Sequence, residues 1–166
     1  MFLSRVFTLY PDYFPGYLDK GLFGKSKGKE WNLEIINIRD YALDKHKTVD
    51  DTPYGGGNGM IMKADVLASS LDANVKSGEK TIYLSPRGKV FNSKLAREFS
   101  NENSINLICG HFEGVDERIL ESRNIEEISI GDFILSGGEV AAFVVIDSIL
   151  RFCLLYTSPS PRDPSI

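Results

Sequence analysis

The stretch IEEISIGDFILSGGEVAAFVVIDSILRF, residues 125–152, holds a β-rich run, a glycine-bearing turn and a long apolar segment in succession. The segment from Gly138 onward is apolar almost all round, and its exceptions are Glu139, Asp147, Ser148 and Arg151. A helix of this kind is buried in a core or in an oligomer interface. We therefore predict a strand over 125–130 and a helix over 138–152.

Upstream of this stretch, further β-rich runs alternate with helical patterns. The runs lie at residues 2–9, 33–38, 80–85 and 105–110, and the helical patterns lie at 63–75, 93–99 and 116–123. Unbroken apolar strands that alternate with helices are typical of an α/β domain with a covered, largely parallel sheet. We predict an α/β fold, in which a mostly parallel sheet has helices on both faces.

Three of the predicted strands end in turns that contain glycine or proline. These exits are YLSPRGK (83–89), CGHFEGVDER (109–118) and SIGDFILSGGE (129–139). In open parallel sheets, ligands bind beyond the carboxyl ends of the strands. The three exits therefore predict the walls of one ligand pocket.

The third exit indicates what kind of ligand the pocket takes. Its glycines offer backbone N–H groups and a close approach, and Ile130, Phe133 and Leu135 can cover a flat adenine ring. A phosphate site would need basic residues, and this exit contains no run of them. The pattern favours a nucleoside with little or no phosphate charge.

The stretch DDTPYGGGNGM, residues 50–60, places four glycines within five residues. It is neither a Walker loop nor the dinucleotide fingerprint, because no Gly-Lys-Ser/Thr follows it and the glycine spacing differs. Two interpretations are open. The loop either lets a ligand approach the backbone or is a flexible connection with no ligand.

Length and composition limit the class of protein. The 166 residues, with 42% hydrophobic and 25% charged side chains, suit one globular domain with a proper core. Two cysteines give no disulfide framework or metal cluster, and the first residues carry no signal peptide pattern. No apolar run approaches the roughly 20 residues that span a bilayer. A formal net charge of −4 argues against a nonspecific DNA binder. We expect a cytoplasmic protein without a membrane segment.

The stretches TVDDTPYGGGNGM, YLSPRG, CGHFEGVDER and SIGDFILSGGE, in this order and spacing, resemble the bacterial tRNA (guanine-N1)-methyltransferases of the SPOUT class. The resemblance runs from Phe2 to Phe152. It implies an enzyme that moves a methyl group from S-adenosylmethionine to N1 of the guanine immediately 3′ of the tRNA anticodon. It also implies a trefoil knot in the C-terminal part of the α/β domain, and a homodimer whose subunits share the active site.

The resemblance assigns roles to individual residues. The implied cofactor pocket consists of Tyr83, Leu84, Ser85, Pro86, Gly110, Glu113, Gly114, Ile130, Gly131, Asp132, Phe133, Ile134, Leu135, Gly137 and Gly138. Asp50 and a mobile substrate loop, Tyr54, Gly55, Gly56, Gly57 and Gly59, are implied to lie near the target base. Arg151 matches the family's active-site arginine, and Glu113 matches a carboxylate tied to Mg²⁺.

These residue types agree with the implied chemistry. Methyl transfer is an in-line displacement, so the alignment of sulfur, methyl carbon and N1 does much of the work. Guanine N1 also carries a proton that a base must remove. Arg151 or a metal could stabilise the charge that grows on O6, and a carboxylate could be the base.

The chain also departs from the family pattern. The family's general-base aspartate lies beyond the final helix and has no counterpart here, and the helical C-terminal domain that grips tRNA is absent. Residues 153–166 read as a non-homologous Ser/Pro-rich tail, in which Cys153–Asp163 resembles the translated end of a transposon adapter used for sequencing libraries. We expect the natural protein to continue beyond Phe152. We also expect this chain to bind S-adenosylmethionine weakly and not to methylate tRNA at a useful rate.

Two alternatives from other classes stay open. One is a noncatalytic module that binds S-adenosylmethionine or tRNA, which predicts binding without methyl transfer. The other is a SPOUT methyltransferase that acts on another RNA. Identification of the RNA atom that gains the methyl group decides between the second alternative and the main interpretation.

Overall fold

The computed structural model describes residues 1–51, 61–111 and 114–154, and this part of the chain contains seven strands and five α-helices. The strands are β1 (Phe2–Thr8), β2 (Trp31–Asn37), β3 (Asp50–Asp51), β4 (Ile61–Met62), β5 (Lys80–Val90), β6 (Ser104–Cys109) and β7 (Glu126–Ser129). The helices are α1 (Gly21–Ser26), α2 (Ala64–Asn74), α3 (Ser93–Ser100), α4 (Glu117–Ser122) and α5 (Glu139–Cys153). Short 3-10 helices cover Pro11–Tyr13, Gly16–Asp19 and Ile38–Tyr41.

The central sheet has five strands in the order β2-β1-β6-β5-β7, and every neighbouring pair is parallel. Because all strands run the same way, their carboxyl ends share one edge of the sheet. The short strands β3 and β4 form a separate antiparallel pair. The fold therefore brings the exits of β5, β6 and β7 together at one edge.

Successive residues of the central strands feed two hydrophobic cores, one on each face of the sheet. Val6 and Leu107 pack on the face that α3 and α5 cover, whereas Phe7 and Ile108 pack on the face that α2 and α4 cover. Side chains of a strand alternate between faces, so a sheet covered on both sides needs apolar residues at consecutive positions. This arrangement confirms the predicted α/β fold with a parallel sheet and helices on both faces. The trefoil knot stays a prediction.

Two strands extend at least two residues beyond their predicted ends. Strand β2 begins at Trp31 rather than at Leu33, because the Trp31 indole is fully buried and its N–H donates to the Phe23 carbonyl at 3.0 Å. Strand β5 continues to Val90 through the exit sequence, with an irregularity in its pairing to β7 between Leu84 and Lys89. Proline is tolerated in a strand at such an irregularity, because its missing N–H removes no ladder bond there.

Helix α5 confirms the prediction of a long apolar helix and ends at Cys153, one residue beyond the predicted end. It packs against α3 and contributes Ala142, Val145, Ile146 and Ile149, all fully buried, to the first core. Across residues 1–51, 61–111 and 114–154, no helix has the length and apolar character needed to cross a membrane.

A buried arginine ties three strands together near the amino end of β5. The Arg5 side chain is 2% exposed, and its guanidinium donates to Glu34 at 3.2 Å, Glu79 at 2.8 Å and Asn106 at 2.7 Å. The Ser104 hydroxyl also donates to Glu79. A buried charge is tolerated when it is paired and hydrogen-bonded, and loss of a partner leaves it uncompensated.

The Glu79 carboxyl makes stability depend on pH. Burial alone would raise the pKa of Glu79, but hydrogen bonds from Ser104, the Lys76 backbone and Arg5, together with the Arg5 charge, lower it to about 2. A carboxyl with a depressed pKa stabilises the folded state fully above its ordinary value of 4.5, and this contribution is lost as the pH falls toward 2. We expect Glu79→Gln to lower the free energy of unfolding by about 1–3 kcal/mol at pH 7.

The deficit of Glu79→Gln relative to wild type should shrink as the pH falls from 5 to 3, and urea unfolding at each pH measures it. Glu30→Gln, which changes an exposed glutamate just before β2, is the matched control and should stay close to wild type throughout. A deficit for Glu79→Gln that does not vary with pH would contradict this account.

Candidate ligand cavity at the carboxyl edge of the sheet

A cavity of about 310 Å³ lies at the carboxyl ends of β5, β6 and β7. This volume is within the range of roughly 300–1,000 Å³ typical of small-molecule sites. The described residues that line it are Tyr83, Leu84, Ser85, Pro86, Arg87, Gly110, His111, Gly114, Ile128, Ser129, Ile130, Gly131, Phe133, Ile134, Leu135, Ser136, Gly137, Gly138 and Ala141. All three exits singled out in the sequence therefore contribute to one cavity.

The first wall comes from the irregular part of β5. Ile128 of β7 pairs with both Leu84 and Lys89, so the residues between them leave the regular ladder. Within this excursion the Arg87 backbone N–H donates to the Ser85 hydroxyl at 3.2 Å. The excursion therefore takes Ser85, Pro86 and Arg87 out of the pairing with β7 and places them beside the cavity.

The second wall follows the end of β6. The Gly114 N–H donates to the His111 carbonyl at 3.2 Å, and the Gly114 carbonyl accepts from the Met62 N–H at 3.0 Å. Met62 belongs to β4 and pairs with Asp50 of β3. The β3–β4 pair is therefore attached directly to the cavity wall.

The third wall combines a turn after β7 with the start of α5. The Ser129 hydroxyl donates to the Gly131 carbonyl at 2.9 Å and accepts from the Gly131 N–H at 3.1 Å. Beyond this turn, Phe133, Ile134 and Leu135 are exposed. Exposed apolar side chains beside a cavity are typical of a surface that a ligand or a partner covers.

A buried carboxylate joins the second and third walls. Glu139, the first residue of α5, is 2% exposed, accepts from the Thr8 hydroxyl at 2.6 Å and lies 2.6 Å from His111 Nε2. A carboxylate in the first turn of a helix is also favoured by the helix dipole. The sequence shows Glu139 only as a polar exception in an apolar helix, and this buried hydrogen-bond network becomes visible only in the folded chain.

Tyr83, which lines the cavity, and Cys109, which lies beside it, are titratable groups that the fold keeps neutral. Burial raises the pKa of Tyr83 to about 12; the charge of Glu127 adds to the increase and that of Arg87 opposes it. Burial, followed by the charge of Glu139, raises the pKa of the Cys109 thiol well above its usual value. The Tyr83 hydroxyl is therefore a neutral hydrogen-bond donor, and Cys109 behaves as an inert buried side chain.

The structure places most of the implied cofactor residues in this cavity. Of those that it describes, Asp132 alone does not line the cavity and is exposed. Glu113 and the substrate-loop residues Tyr54, Gly55, Gly56, Gly57 and Gly59 lie outside the described residues.

The two implied catalytic residues stand apart from the cavity lining. Asp50 lies in β3 and Arg151 in the last turn of α5, and neither lines the cavity. Asp50 is nevertheless linked to the second wall through its pairing with Met62. In the part of the chain that the structure describes, no group of three or more His, Cys, Asp or Glu side chains could hold a metal ion.

Sequence reasoning assigned no cofactor role to six of the residues that line the cavity, and two of these carry basic side chains. It gave Arg87 no role, although the residue stands inside the quoted exit YLSPRGK, and it left His111 ambiguous as a lone histidine. The position of Arg87 in a strand exit was the available signal. The partner of His111 could not be predicted, because Glu139 is 28 residues away in the sequence.

The parallel α/β sheet and the glycine-rich cavity at its carboxyl edge define a class of proteins that bind small ligands beyond the strand ends. Comparison with known proteins specifies the family. The model of the family described as tRNA (Guanine-1)-methyltransferase TrmD matches residues 2–156, and the chain belongs to this family.

Curated relatives agree with the family match. The protein of Pelagibacter ubique (strain HTCC1062) named tRNA (guanine-N(1)-)-methyltransferase is 66% identical over 152 residues, which cover 91% of this chain and 67% of that protein. Proteins of the same name from Bartonella quintana (strain Toulouse) and Rhizobium etli are 54% and 48% identical, and each match covers 90% of this chain and 65% of the relative. The chain thus spans about two thirds of the length of these relatives.

The start of α5 offers a direct test of how the cavity is built. Gly138 has a helical φ of −81°, so its backbone conformation alone would accept alanine. A Cβ atom there would, however, lie 2.8 Å from Cys109 Cα and 2.9 Å from the Gly110 nitrogen, and backbone atoms cannot easily move aside. We expect Gly138→Ala to lower the free energy of unfolding by about 1–3 kcal/mol, as overpacking does.

Chemical denaturation of Gly138→Ala and wild type measures this loss. Ser136→Ala, at an exposed position two residues away, is the control and should change stability by less than about 0.5 kcal/mol. If Gly138→Ala were as stable as wild type, the close approach of α5 to β6 would not be needed.

Proposed function

We propose that the cavity binds S-adenosylmethionine and that the protein transfers its methyl group to N1 of the guanine 3′ of the anticodon in tRNA. One observation carries the proposal. The three strand exits that match the family's methyl-donor motifs lie around a single cavity, although they are far apart in the sequence. The names of the relatives supply the reaction and the RNA substrate.

The lining of the cavity fits an adenosyl group. Glycines expose backbone on the second and third walls, and Phe133 and Leu135 offer apolar surface for a flat ring. No carboxylate and only one arginine occur among the described lining residues, and this part of the lining suits the uncharged adenosine portion of the ligand. When bound, S-adenosylmethionine supplies an activated methyl group on sulfur.

The residues of the chain would act by positioning and by electrostatics. The backbone hydrogen bonds of Gly114 and the contact of α5 with the end of β6 hold the walls together, which suits a reaction that depends on alignment. We assign Arg151 to stabilise the charge that grows on guanine O6, and we place Asp50 beside the target base. No residue of this chain is assigned as the base that accepts the proton from N1.

The remaining assignments are also proposals. Glu113 would bind Mg²⁺, but it lies outside the described residues, so no step is assigned to the metal. The partners would be tRNA and a second copy of the chain, in the cytoplasm.

Binding and methyl transfer test the function separately. We expect isothermal titration calorimetry to show that wild type binds S-adenosylmethionine, and that Gly138→Ala binds it at least about 10-fold more weakly because the cavity walls shift. Lys94→Ala, at an exposed position on α3 that does not line the cavity, is the control and should bind like wild type. A folded wild-type chain that binds no S-adenosylmethionine would contradict the proposal.

Methyl transfer is measured with radiolabelled S-adenosylmethionine and a tRNA transcript. Residues 1–152 are joined to the remaining third of the Pelagibacter ubique relative, so that the catalytic assay uses a chain of the relatives' length. We expect methylation of the transcript, and none when the guanine 3′ of the anticodon is replaced by adenine. Binding without transfer would favour the noncatalytic alternative, and methylation of the control transcript would favour another RNA target.

The exposed side of α5 supports the proposed homodimer. Val140 is 53% exposed and Val144 is 41% exposed, and their spacing of four residues puts them on one helix face. We expect the double change Val140→Asp and Val144→Asp to shift the protein from dimer to monomer, because charges in an apolar interface would be buried unpaired.

Sedimentation velocity at several protein concentrations measures the oligomeric state. Leu43→Asp is the control, because Leu43 is 99% exposed on a different segment, and it should leave the dimer intact. A wild type that stays monomeric at every concentration would contradict the dimer.

A further inference from the structure

Arg87 is the one arginine or lysine among the described residues that line the cavity, and none of those residues is a carboxylate. Its side chain is exposed at the first wall, within the excursion of β5. A guanidinium carries five donors and is always charged. The described part of the lining thus carries one permanent positive charge and no carboxylate.

Arg87 differs from the arginines that join elements of the fold. Arg5 pairs with Glu34 and Glu79, and Arg123 pairs with Asp72. Among residues 1–51, 61–111 and 114–154, no hydrogen bond or ion pair engages the Arg87 guanidinium, and only its backbone N–H is bonded, to Ser85. Its donors are therefore available to a ligand.

The Tyr83 hydroxyl and the Arg87 guanidinium, both hydrogen-bond donors, lie on either side of the space beside Gly114. A Cβ atom at Gly114 would lie 3.3 Å from the Tyr83 hydroxyl and 3.8 Å from Arg87 Nη2. Gly114 has a φ of +122°, which favours glycine, and its backbone is fixed by its bonds to His111 and Met62. The absence of a side chain at Gly114 leaves space between a phenol and a guanidinium.

We propose that Arg87, with the Tyr83 hydroxyl, binds an oxyanion beside Gly114 at the wall of the cavity. The inference rests on the proposed function, which offers two sources of such a group. One is the carboxylate at the amino-acid end of S-adenosylmethionine, and the other is a backbone phosphate of tRNA. A guanidinium binds both groups in a bidentate manner, and the hydrogen bonds are charge-assisted.

Ligands with and without the carboxylate test the first source. Calorimetry compares S-adenosylhomocysteine, which has the carboxylate, with 5′-methylthioadenosine, which lacks the whole amino-acid end. If Arg87 binds the carboxylate, Arg87→Gln weakens S-adenosylhomocysteine binding about 10-fold or more. The affinity for 5′-methylthioadenosine stays unchanged. Arg87→Lys keeps the charge without the bidentate geometry, so it should lose less affinity for S-adenosylhomocysteine than Arg87→Gln.

Salt-dependent tRNA binding tests the second source, with residues 1–152 joined to the remaining third of the Pelagibacter ubique relative as in the methylation assay. If a phosphate is bound, Arg87→Gln leaves the affinity for both nucleosides unchanged but weakens tRNA binding. The magnitude of the slope of log affinity against log salt concentration then decreases by about 1. Lys89→Gln is the matched control for both experiments, because Lys89 is exposed two residues away on β5 and does not line the cavity.

Two results would overturn the inference. One is wild-type affinity of Arg87→Gln for all three ligands. The other is an equal loss of affinity for both nucleosides in Arg87→Gln, which would mean that Arg87 supports only the shape of the cavity. A folded wild type that binds none of the ligands would instead overturn the proposed function, and this inference with it.

Discussion

The approach of helix α5 to the end of strand β6 is the constraint on which the cavity depends. The Gly138 N–H donates to the Gly110 carbonyl at 2.9 Å, and no space is left for a side chain between the helix and Cys109. This contact fixes where a long buried helix begins. It also holds the third wall against the second. The hydrogen bond from Thr8 to Glu139 and the hydrogen bond between His111 Nε2 and Glu139 secure the same junction.

The distribution of charge follows from this architecture. The paired charges of Arg5 and Glu79 lie near the amino end of β5, where they join strands. The carboxyl edge has instead a glycine-rich, largely apolar cavity, and Arg87 is the fixed charge among its described lining residues. A largely apolar lining with a cation at its wall suits a nucleoside that carries an anionic group at one end.

Much of the fold was open to prediction from the sequence, because consecutive apolar residues in β1, β5 and β6 require a sheet covered on both faces. The glycines and prolines of the three exits also predicted the cavity walls correctly. The sequence did not predict that β5 continues through Pro86 or that β3 and β4 form a short pair, because both features depend on pairing with residues distant in the sequence. The network around Glu139 escaped for the same reason. The assignment of S-adenosylmethionine to the cavity rests on the family and not on the pattern alone.

Hydrogen–deuterium exchange with and without S-adenosylhomocysteine tests most directly the claim that the three exits form one methyl-donor site. The account predicts slower exchange in peptides that cover 83–87, 110–114 and 129–138, and no change around a second, larger cavity of about 620 Å³ lined by Val75, Lys80 and Glu126. Protection at that second cavity, or at only one of the three exits, would contradict the account.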